Sequence, residues 1–394
     1  MNTRPNCNRQ AGIPACILAL GFLLTMLAAC SPSNGVVAPE KKASDYRIIG
    51  YVMGSRSPDL NRIDATMLTH INYAFANVRD NTIVLERDTD AGNLARLNTL
   101  KARNPNLKIL LSVGGWSWSD HFSDAALTDA SRQTFARSAI DLLTTHRLDG
   151  IDLDWEYPGQ RGEDNTYRPE DKQNFTLLLK TMREHLDAQS AKDGLIGPDK
   201  YLLTIASGAN QTYLDHTEMD VAQRYLDFVN IMTYDFAGSW STTAGHHTNL
   251  YPSAAAGAPK RAASTEVANH LRAGIPAHKL VLGVAFYGRG WSGADATQNG
   301  LYQPYTTSTG SYAYHTLATD YIDKNGFQRF WDDDAKAPYL WHAESAHFIT
   351  YEDEESLRHK TDFVKAQGLG GVMYWEHSHD PDEVLLTTLY RSLR

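Results

Sequence analysis

The chain has 394 residues, of which 42% are hydrophobic and 21% charged, and 46 Asp and Glu outnumber 37 Lys and Arg to give a net charge of −9. These proportions are typical of a globular protein with a large core, and they exclude collagen, disordered tails and polytopic membrane proteins. The negative balance provides no basic surface for a phosphate backbone, so we expect no nucleic-acid partner.

The N-terminal segment 1–29 has the layout of an export signal. Arg4 and Arg9 precede an apolar stretch at 13–27, which is followed by two alanines and Cys30. The stretch is too short for a stable transmembrane span. Because small residues before a cysteine resemble the lipobox of bacterial lipoproteins, we expect lipid attachment at Cys30. The protein is then exported and anchored to a bacterial membrane, by expectation the outer one, or is secreted. An ordinary cleaved signal with an incidental cysteine is the alternative.

Residues 30–45 predict a flexible tether, since they combine two prolines with small residues and show no apolar periodicity. The cysteines of the chain are Cys7, Cys16 and Cys30. Cleavage before Cys30 therefore leaves no pair that could form a disulfide. We assign the folded domain to residues 46–394.

Apolar runs alternate along this domain with segments of helical periodicity. The runs typical of strands lie at 47–53, 69–78, 108–113, 148–154, 201–206, 228–234, 280–286 and 371–375. The helical segments include 133–146, 170–188, 265–273 and 354–367. This alternation predicts an α/β fold, a (β/α)8 barrel. The segment 292–348, between the seventh and eighth strands, is too long for a barrel loop and predicts a small inserted α+β subdomain.

The fourth run carries acids at alternate positions, namely Asp152, Asp154 and Glu156. Because side chains alternate along a strand, these acids share one face, which can line the barrel lumen while the apolar residues between them contact the helices. Packing carboxylates this closely disfavours full ionisation, so we expect a raised pKa and a shared proton. Glu156 is the outermost acid and is best placed to reach a substrate. Asp149 has the opposite parity, which predicts a structural role.

Other interpretations of these acids fit less well. A calcium loop needs oxygen-bearing residues between its acids, whereas Ile151, Leu153 and Trp155 lie between these. A solvated acidic edge would place three charges beside core residues at a high free-energy cost. Elsewhere, His377 and His379 form an isolated pair without further ligands in register, so we predict no metal site.

Two further groups of aromatic and imidazole side chains are less specific. His246 and His247 lie in a loop rich in glycine and threonine, which predicts a solvated rim without a catalytic role. Several tryptophans follow or end predicted strands, where each can stack on a sugar ring or pack in the core. Both alternatives stay open for Trp116, Trp118, Trp240, Trp291 and Trp375.

The segment 149–156, Asp-Gly-Ile-Asp-Leu-Asp-Trp-Glu, resembles the signature of glycoside hydrolase family 18, the chitinases. The resemblance extends over about residues 46–394. Other segments resemble the family's motifs in the same order, namely Gly50-Tyr51, Ser112-Val113-Gly114-Gly115-Trp116, Met232-Thr233-Tyr234-Asp235, Tyr287-Gly288-Arg289-Gly290-Trp291 and Gly371-Val372-Met373-Tyr374-Trp375-Glu376. The resemblance implies the barrel fold and identifies the insert as the chitinase insertion domain, which forms one wall of the cleft.

The resemblance also implies residue roles. Glu156 would be the general acid, and the 2-acetamido oxygen of the substrate would be the nucleophile, because this family is a substrate-assisted exception among retaining hydrolases. Asp154 would orient the acetamido group, Tyr234 would donate a hydrogen bond to its carbonyl oxygen, and Asp152 would tune Asp154. Substrate-binding roles would fall on Tyr51, Gly115, Trp116, Tyr157, Met232, Asp235, Arg289 and Trp375.

The predicted function is a chitinase that hydrolyses β-1,4 bonds in chitin and N-acetylglucosamine oligosaccharides, as a monomer and without a cofactor. An endo-β-N-acetylglucosaminidase that cuts N-glycans is one alternative, although its relatives usually lack the insertion. A chitin-binding lectin on the same barrel is another. Such lectins have lost the acid that Glu156 provides here, so we favour an enzyme.

Overall fold

The computed structural model describes residues 45–56, 59–257 and 261–394. The predicted export signal, Cys30 and the tether up to residue 44 lie outside the described residues. Within those ranges, no helix is long and apolar enough to cross a membrane.

The secondary structure alternates between strands and helices along most of the chain. The strands are β1 (Arg47–Met53), β2 (His70–Arg79), β3 (Thr82–Val84), β4 (Lys108–Gly114), β5 (Gly150–Asp154), β6 (Leu202–Gly208), β7 (Phe228–Met232), β8 (Leu280–Ala285), β9 (Tyr287–Ser292), β10 (Thr307–Ala313), β11 (Gln328–Asp332), β12 (Ala337–His342), β13 (His347–Thr350) and β14 (Gly371–Trp375). The α-helices are α1 (Asp90–Thr99), α2 (Phe122–Leu127), α3 (Asp129–His146), α4 (Asp171–Lys192), α5 (Gln211–Asp215), α6 (Met219–Ala222), α7 (Ala263–Arg272), α8 (Tyr314–Asp320), α9 (Glu354–Ala366) and α10 (Val384–Leu393).

Parallel strands close into a barrel in the order β1, β2, β4, β5, β6, β7, β8 and β14, and β14 pairs back with β1. The predicted (β/α)8 barrel is therefore confirmed. Its strands are buried on both faces, which explains why they are continuous apolar runs in the sequence. The short β3, which pairs antiparallel with β2, was not predicted from the sequence.

Local capping sets where two of the predicted helices begin. The helix predicted from residue 133 begins at Asp129, because the side chain of Thr128 accepts a hydrogen bond from the Ser131 backbone in a capping box. Asp353 caps α9 in the same way through Ser356. The fourth barrel strand, predicted from residue 148, begins at Gly150, and the sixth, predicted to 234, ends at Met232.

A second, antiparallel sheet follows β8 in the order β10, β9, β13, β12 and β11. It extends from Tyr287 to Thr350, and the segment 292–348 that the sequence predicts as an insertion lies within it. Trp291 and Phe348 are fully buried in its core. The side chain of Trp291 therefore packs in the core beside this sheet and is not available to stack on a sugar ring at the rim.

Candidate active site

The acids of β5 and the residues just after it lie at the carboxyl end of the barrel, where barrel enzymes carry their active sites. Asp152 is 0% exposed, Asp154 4% and Glu156 8%. The intervening side chain of Trp155 packs outward, stacked on Phe122 with ring centroids 5.4 Å apart. The alternation of the sequence thus separates a buried acidic row from an apolar row that packs against the helices.

Asp152, the deepest acid, is surrounded by hydrogen-bond donors. Tyr51 Oη donates to it at 2.7 Å and Ser112 Oγ at 2.8 Å. Thr204 Oγ1 donates at 2.5 Å and Asn230 Nδ2 at 3.4 Å. Burial raises the pKa of Asp152, and these hydrogen bonds oppose the rise. With its oxygens occupied, Asp152 is suited to support its neighbour and not to react.

Asp154 and Glu156 are the acids that remain available for chemistry. Asp154 Oδ1 is buried and has no hydrogen-bond partner among the described residues. Burial and the charges of Glu156 and Asp152 raise the pKa of Asp154 well above its usual range. Burial, together with the charges of Asp235 and Glu163, raises the pKa of Glu156 to about 7, although Tyr157 acts to lower it. Glu156 therefore still carries a proton near neutral pH, as a general acid must.

This raised pKa also predicts a pH-dependent cost in stability. The pKa of Glu156 rises from 4.5 to about 7 on folding. The part of the free energy of unfolding that is linked to this group is therefore fully present below about pH 4.5 and is lost as pH rises through about 7. Glutamine at position 156 does not titrate. The melting temperature of Glu156→Gln minus that of wild type should therefore be larger at pH 8 than at pH 5, by roughly 3 °C or more. Calorimetry at both pH values measures the gain, and Glu344→Gln, which removes an exposed carboxyl group between β12 and β13, is the control. An equal difference at both pH values would contradict a raised pKa.

Tyr234 follows β7 and is buried beside the acids. Its Oη lies 3.8 Å from Met373 Sδ, which is a weak acceptor. Burial and the charges of Asp154 and Asp235 raise the pKa of Tyr234 well above its usual range, so the hydroxyl stays protonated. Tyr234 is thus a donor that a better acceptor, such as an amide oxygen, can engage.

Asp235 and Arg289 form a two-bond ion pair at the rim. Arg289 Nε donates to Asp235 Oδ1 at 2.6 Å and Arg289 Nη2 to Oδ2 at 2.7 Å, while Tyr287 Oη donates to Oδ1 at 2.7 Å. Burial acts to raise the pKa of Asp235, but His247 and Arg289 hold it well below its usual range. Arg289 also lies over the ring of Trp240 at 4.9 Å. Asp235 is therefore charged, and it fixes the direction of the Arg289 guanidinium.

The prediction that His246 and His247 lie on a solvated rim is wrong, because both are buried. The segment after β7 folds back against the second sheet. There His246 Nε2 lies 3.2 Å from Asp332 Oδ2, and His247 Nε2 lies 3.1 Å from the Tyr287 carbonyl oxygen. His247 Nδ1 is 3.6 Å from Asp235 Oδ1. His247 therefore supports the Asp235 site from behind.

A buried ion pair anchors the same segment. Lys360 and Glu352 are in contact, and neither is exposed to solvent by more than 2%. Both contact Thr248, whose Oγ1 donates to the carbonyl oxygen of Thr233 at 3.1 Å. Thr233 immediately precedes Tyr234, so the Lys360–Glu352 ion pair, through Thr248, helps to fix the backbone at Tyr234. Nothing in the sequence around Lys360 distinguishes it from a solvated helical lysine.

Aromatic rings form the floor of the site. Trp375, at the end of β14, stacks on Phe75 with ring centroids 5.5 Å apart and lies 5.7 Å from the ring of Tyr51. Trp375 is half-buried, whereas Tyr51 is almost completely buried beneath it. Sequence analysis missed Phe75, although its position near the carboxyl end of β2 was an available signal.

The remaining predicted binding residues lie around this floor. Gly115 has a φ of 78°, and a Cβ there would meet the Phe75 ring at 2.7 Å, so the turn needs glycine. Trp116 follows it and is 49% exposed, and Trp240 is 61% exposed. Tyr157 and Met232 are half-buried, as is Trp118. Of the tryptophans left open by the sequence, Trp116 and Trp240 offer free ring surface at the rim.

The residues after Trp375 form a hydrogen-bonded cluster. Buried Glu376 accepts a hydrogen bond from the Ser378 backbone at 3.0 Å and lies 3.3 Å from His379 and 3.6 Å from Arg56. His377 Nδ1 lies 3.0 Å from Tyr374 Oη. Within the described ranges no group of three or more His, Cys, Asp and Glu could hold a metal ion. The cluster fixes the backbone that follows the floor tryptophan.

Comparison with known proteins identifies the family. The model of Glycosyl hydrolases family 18 matches residues 47–380. The chain belongs to glycosyl hydrolase family 18. The matched range contains every barrel residue that the sequence predicts to be catalytic or substrate-binding, from Tyr51 to Trp375.

Relatives within family 18 span bacteria and fungi. The chain is 43% identical to Chitinase A1 of Niallia circulans over 95% of its own length, but it spans only 62% of that protein. It is 32% identical to Endochitinase 1 of Metarhizium robertsii, over 94% of this chain and 92% of the relative.

Solved structures of family 18 share the fold. A family 18 N-acetylglucosaminidase from Paenibacillus barengoltzii superposes with a TM-score of 0.82 at 47% identity, covering 88% of this chain and 99% of that chain. Chitinase ChiA74 from Bacillus thuringiensis superposes with a TM-score of 0.82 at 37% identity, over 89% of this chain and 70% of that chain.

Proposed function

We propose that the protein hydrolyses β-1,4 bonds between N-acetylglucosamine units in chitin and its oligosaccharides, with retention of the anomeric configuration. The observation that carries the proposal is the buried Glu156, with its pKa of about 7, beside Asp154 at the end of the barrel that also carries the aromatic floor. An aromatic floor suits the apolar face of a sugar ring. The chitinases among its family 18 relatives support the choice of substrate.

The proposed mechanism begins with proton transfer from Glu156 to the glycosidic oxygen as the bond to the anomeric carbon breaks. Two of the neighbouring carboxylates are poor nucleophiles, because Asp152 accepts several hydrogen bonds and Asp235 is paired with Arg289. In the proposed mechanism the acetamido oxygen of the substrate attacks the anomeric carbon, as is typical of family 18. Water then attacks the anomeric carbon from the face that the leaving group has vacated, while Glu156 takes a proton from this water. The cyclic intermediate opens, and the acetamido group is restored.

Asp154 and Tyr234 are the groups that serve the acetamido nucleophile. The unpartnered Oδ1 of Asp154 can accept a hydrogen bond from the acetamido N–H, and this hydrogen bond strengthens as positive charge develops on the acetamido group. Tyr234 Oη, whose contact is a thioether, can donate to the acetamido oxygen. Both interactions orient the nucleophile toward the anomeric carbon.

A second candidate is an N-acetylglucosaminidase that releases single sugars, which the likeness to the Paenibacillus barengoltzii enzyme favours. Early products of an N-acetylglucosamine hexamer separate the two. Dimers, trimers and tetramers together indicate internal cleavage by a chitinase, whereas monomer and pentamer alone indicate the second candidate. Release of glycan from a high-mannose glycoprotein would instead indicate an enzyme of N-glycans. Binding of the hexamer without any product would overturn hydrolysis and favour a lectin.

We also propose that the protein is exported and anchored through a lipid on Cys30. The described chain begins at Asp45, directly before the amino end of β1, whereas the acids lie at the carboxyl ends of the strands. Asp45, the first described residue, therefore lies at the end of the barrel opposite the acids.

Cys30→Ala should abolish lipid attachment, because the thiol that receives the lipid is lost. The expected result in the producing bacterium is loss of partitioning into the detergent phase, while activity on soluble oligosaccharides is unchanged. Cys16→Ala is the matched control and should partition like wild type. Wild-type protein that stays in the aqueous phase would contradict the lipoprotein hypothesis.

A further inference from the structure

One serine outside the predicted site touches the backbone of the general acid. Ser119, in the segment after β4, is fully buried. Its Oγ accepts a hydrogen bond from the backbone N–H of Glu156 at 2.8 Å. The same oxygen lies 2.9 Å from the carbonyl oxygen of Gly115 and 3.2 Å from that of Asp154, so its proton is shared between these acceptors. A single hydroxyl thus joins the Gly115 turn to the end of the catalytic strand.

The position of the Glu156 side chain depends on this backbone and on Tyr157, which hydrogen-bonds to the carboxyl group. Within the described chain, no lysine or arginine forms an ion pair with Glu156 that could direct its carboxyl group. Trp155 fixes the outer side of the segment by packing on Phe122 and Phe175. On the inner side, the Ser119 hydroxyl and the hydrogen bond from Gly115 N to the Asp154 carbonyl oxygen, at 2.8 Å, join this backbone to the segment after β4.

We propose that Ser119 is a positioning residue for the general acid. Its hydroxyl fixes the Glu156 backbone against the Gly115 turn, so that the carboxyl group keeps the position that proton transfer to the glycosidic oxygen requires. The inference rests on the proposed hydrolytic function. Because Gly115 is followed by Trp116, the same hydroxyl also sets the acid relative to an exposed aromatic ring at the rim.

A purely structural serine makes the same kind of contacts elsewhere in the barrel. Ser190, in α4, is also fully buried. Its Oγ donates to the carbonyl oxygen of Leu186 at 2.7 Å and accepts from the backbone N–H of Tyr201 at 3.0 Å. Loss of either hydroxyl leaves a buried N–H unpaired, so both changes should lower stability by similar amounts. Only the loss at Ser119 should alter the chemistry.

The test compares Ser119→Ala with Ser190→Ala in the full chain, using N-acetylglucosamine oligosaccharides. Ser119→Ala should lower kcat by ~10-fold, because a small displacement of the acid slows proton transfer, and should change KM by less than about 2-fold because the floor is intact. The alkaline side of the plot of kcat against pH should move to lower pH in Ser119→Ala. A displaced Glu156 is less buried, and burial is what raises its pKa. Ser190→Ala should lower the melting temperature by about as much as Ser119→Ala does, but it should keep the wild-type kcat and pH profile.

Ser119→Cys keeps the test open if the alanine variant does not fold. Sulfur fills the space but is a weak acceptor for the Glu156 N–H, so a smaller loss of kcat with the same direction of pH shift is expected. If a folded Ser119 variant matches Ser190→Ala in both kcat and pH profile, the positioning role is refuted. A wild-type protein that cleaves no oligosaccharide would instead refute the proposed function.

Discussion

Glu156→Gln is expected to lower kcat by ~10²-fold or more while the affinity for oligosaccharides stays nearly unchanged. The amide keeps the shape of the acid, but its N–H protons are not acidic enough to be transferred to the leaving oxygen. Burial raises the pKa of the acid to about 7 in wild type, so activity should fall as pH rises through that value. Steady-state kinetics and direct binding of an N-acetylglucosamine oligosaccharide measure the two effects separately.

Glu163→Gln is the matched control for this variant. Glu163 is exposed, and its charge contributes to the raised pKa of Glu156. Removing that charge should leave kcat at the optimum pH close to the wild-type value. It should move the alkaline side of the plot of kcat against pH slightly to lower pH. Near-normal turnover of Glu156→Gln would remove Glu156 from the role of acid. Equal losses in both variants would point to the local field and not to proton transfer.

Much of the barrel was predictable because its determinants are local. Strands buried on both faces are largely apolar, and each of them lies within three residues of its predicted bounds. The period of two that separates Asp152, Asp154 and Glu156 in the sequence also decides which side chains reach the lumen. Order along one strand is enough to rank these acids by depth.

The rest of the site depends on contacts between residues far apart in the chain. His246 and His247 follow glycine and threonine, and only the second sheet, which includes Asp332, buries them. Ser119 lies 37 positions from the Glu156 backbone that it contacts. Lys360 is buried because Glu352 and Thr248 meet its ammonium group. Single-sequence patterns carry no signal for such pairings, since each residue type is common on a surface.

The largest effect of substrate chemistry should come from the acetamido group. If it is the nucleophile, a β-1,4 glucose hexamer or a fully deacetylated hexamer can enter the aromatic cleft but cannot react by this route. We expect their turnover to be lower than that of the N-acetylglucosamine hexamer by ~10³-fold or more, because an internal nucleophile at high effective concentration is missing. Product release from equal concentrations of the hexamers measures the ratio.

Two substitutions test the same mechanism from the side of the protein. Asp154→Asn weakens the hydrogen bond that orients the acetamido N–H, and Tyr234→Phe removes the donor to the acetamido oxygen, so each should lower kcat by ~10-fold or more. Tyr73→Phe is the matched control. It deletes another buried hydroxyl, which donates to Asp90 at 2.7 Å in the outer core, and should lower stability without changing kcat.

Stereochemistry separates this mechanism from the others. Attack by the acetamido oxygen and then by water inverts the anomeric carbon twice, so fresh products should carry the β configuration. Nuclear magnetic resonance of early digests measures the anomer. In partly acetylated chitosan, the sugar on the non-reducing side of each cut should always be acetylated, because it supplies the nucleophile. Initial α product would require direct attack by water, with a carboxylate of the site as the base. Frequent cleavage after glucosamine with β product would instead require a carboxylate nucleophile, and acetamido participation would then be refuted.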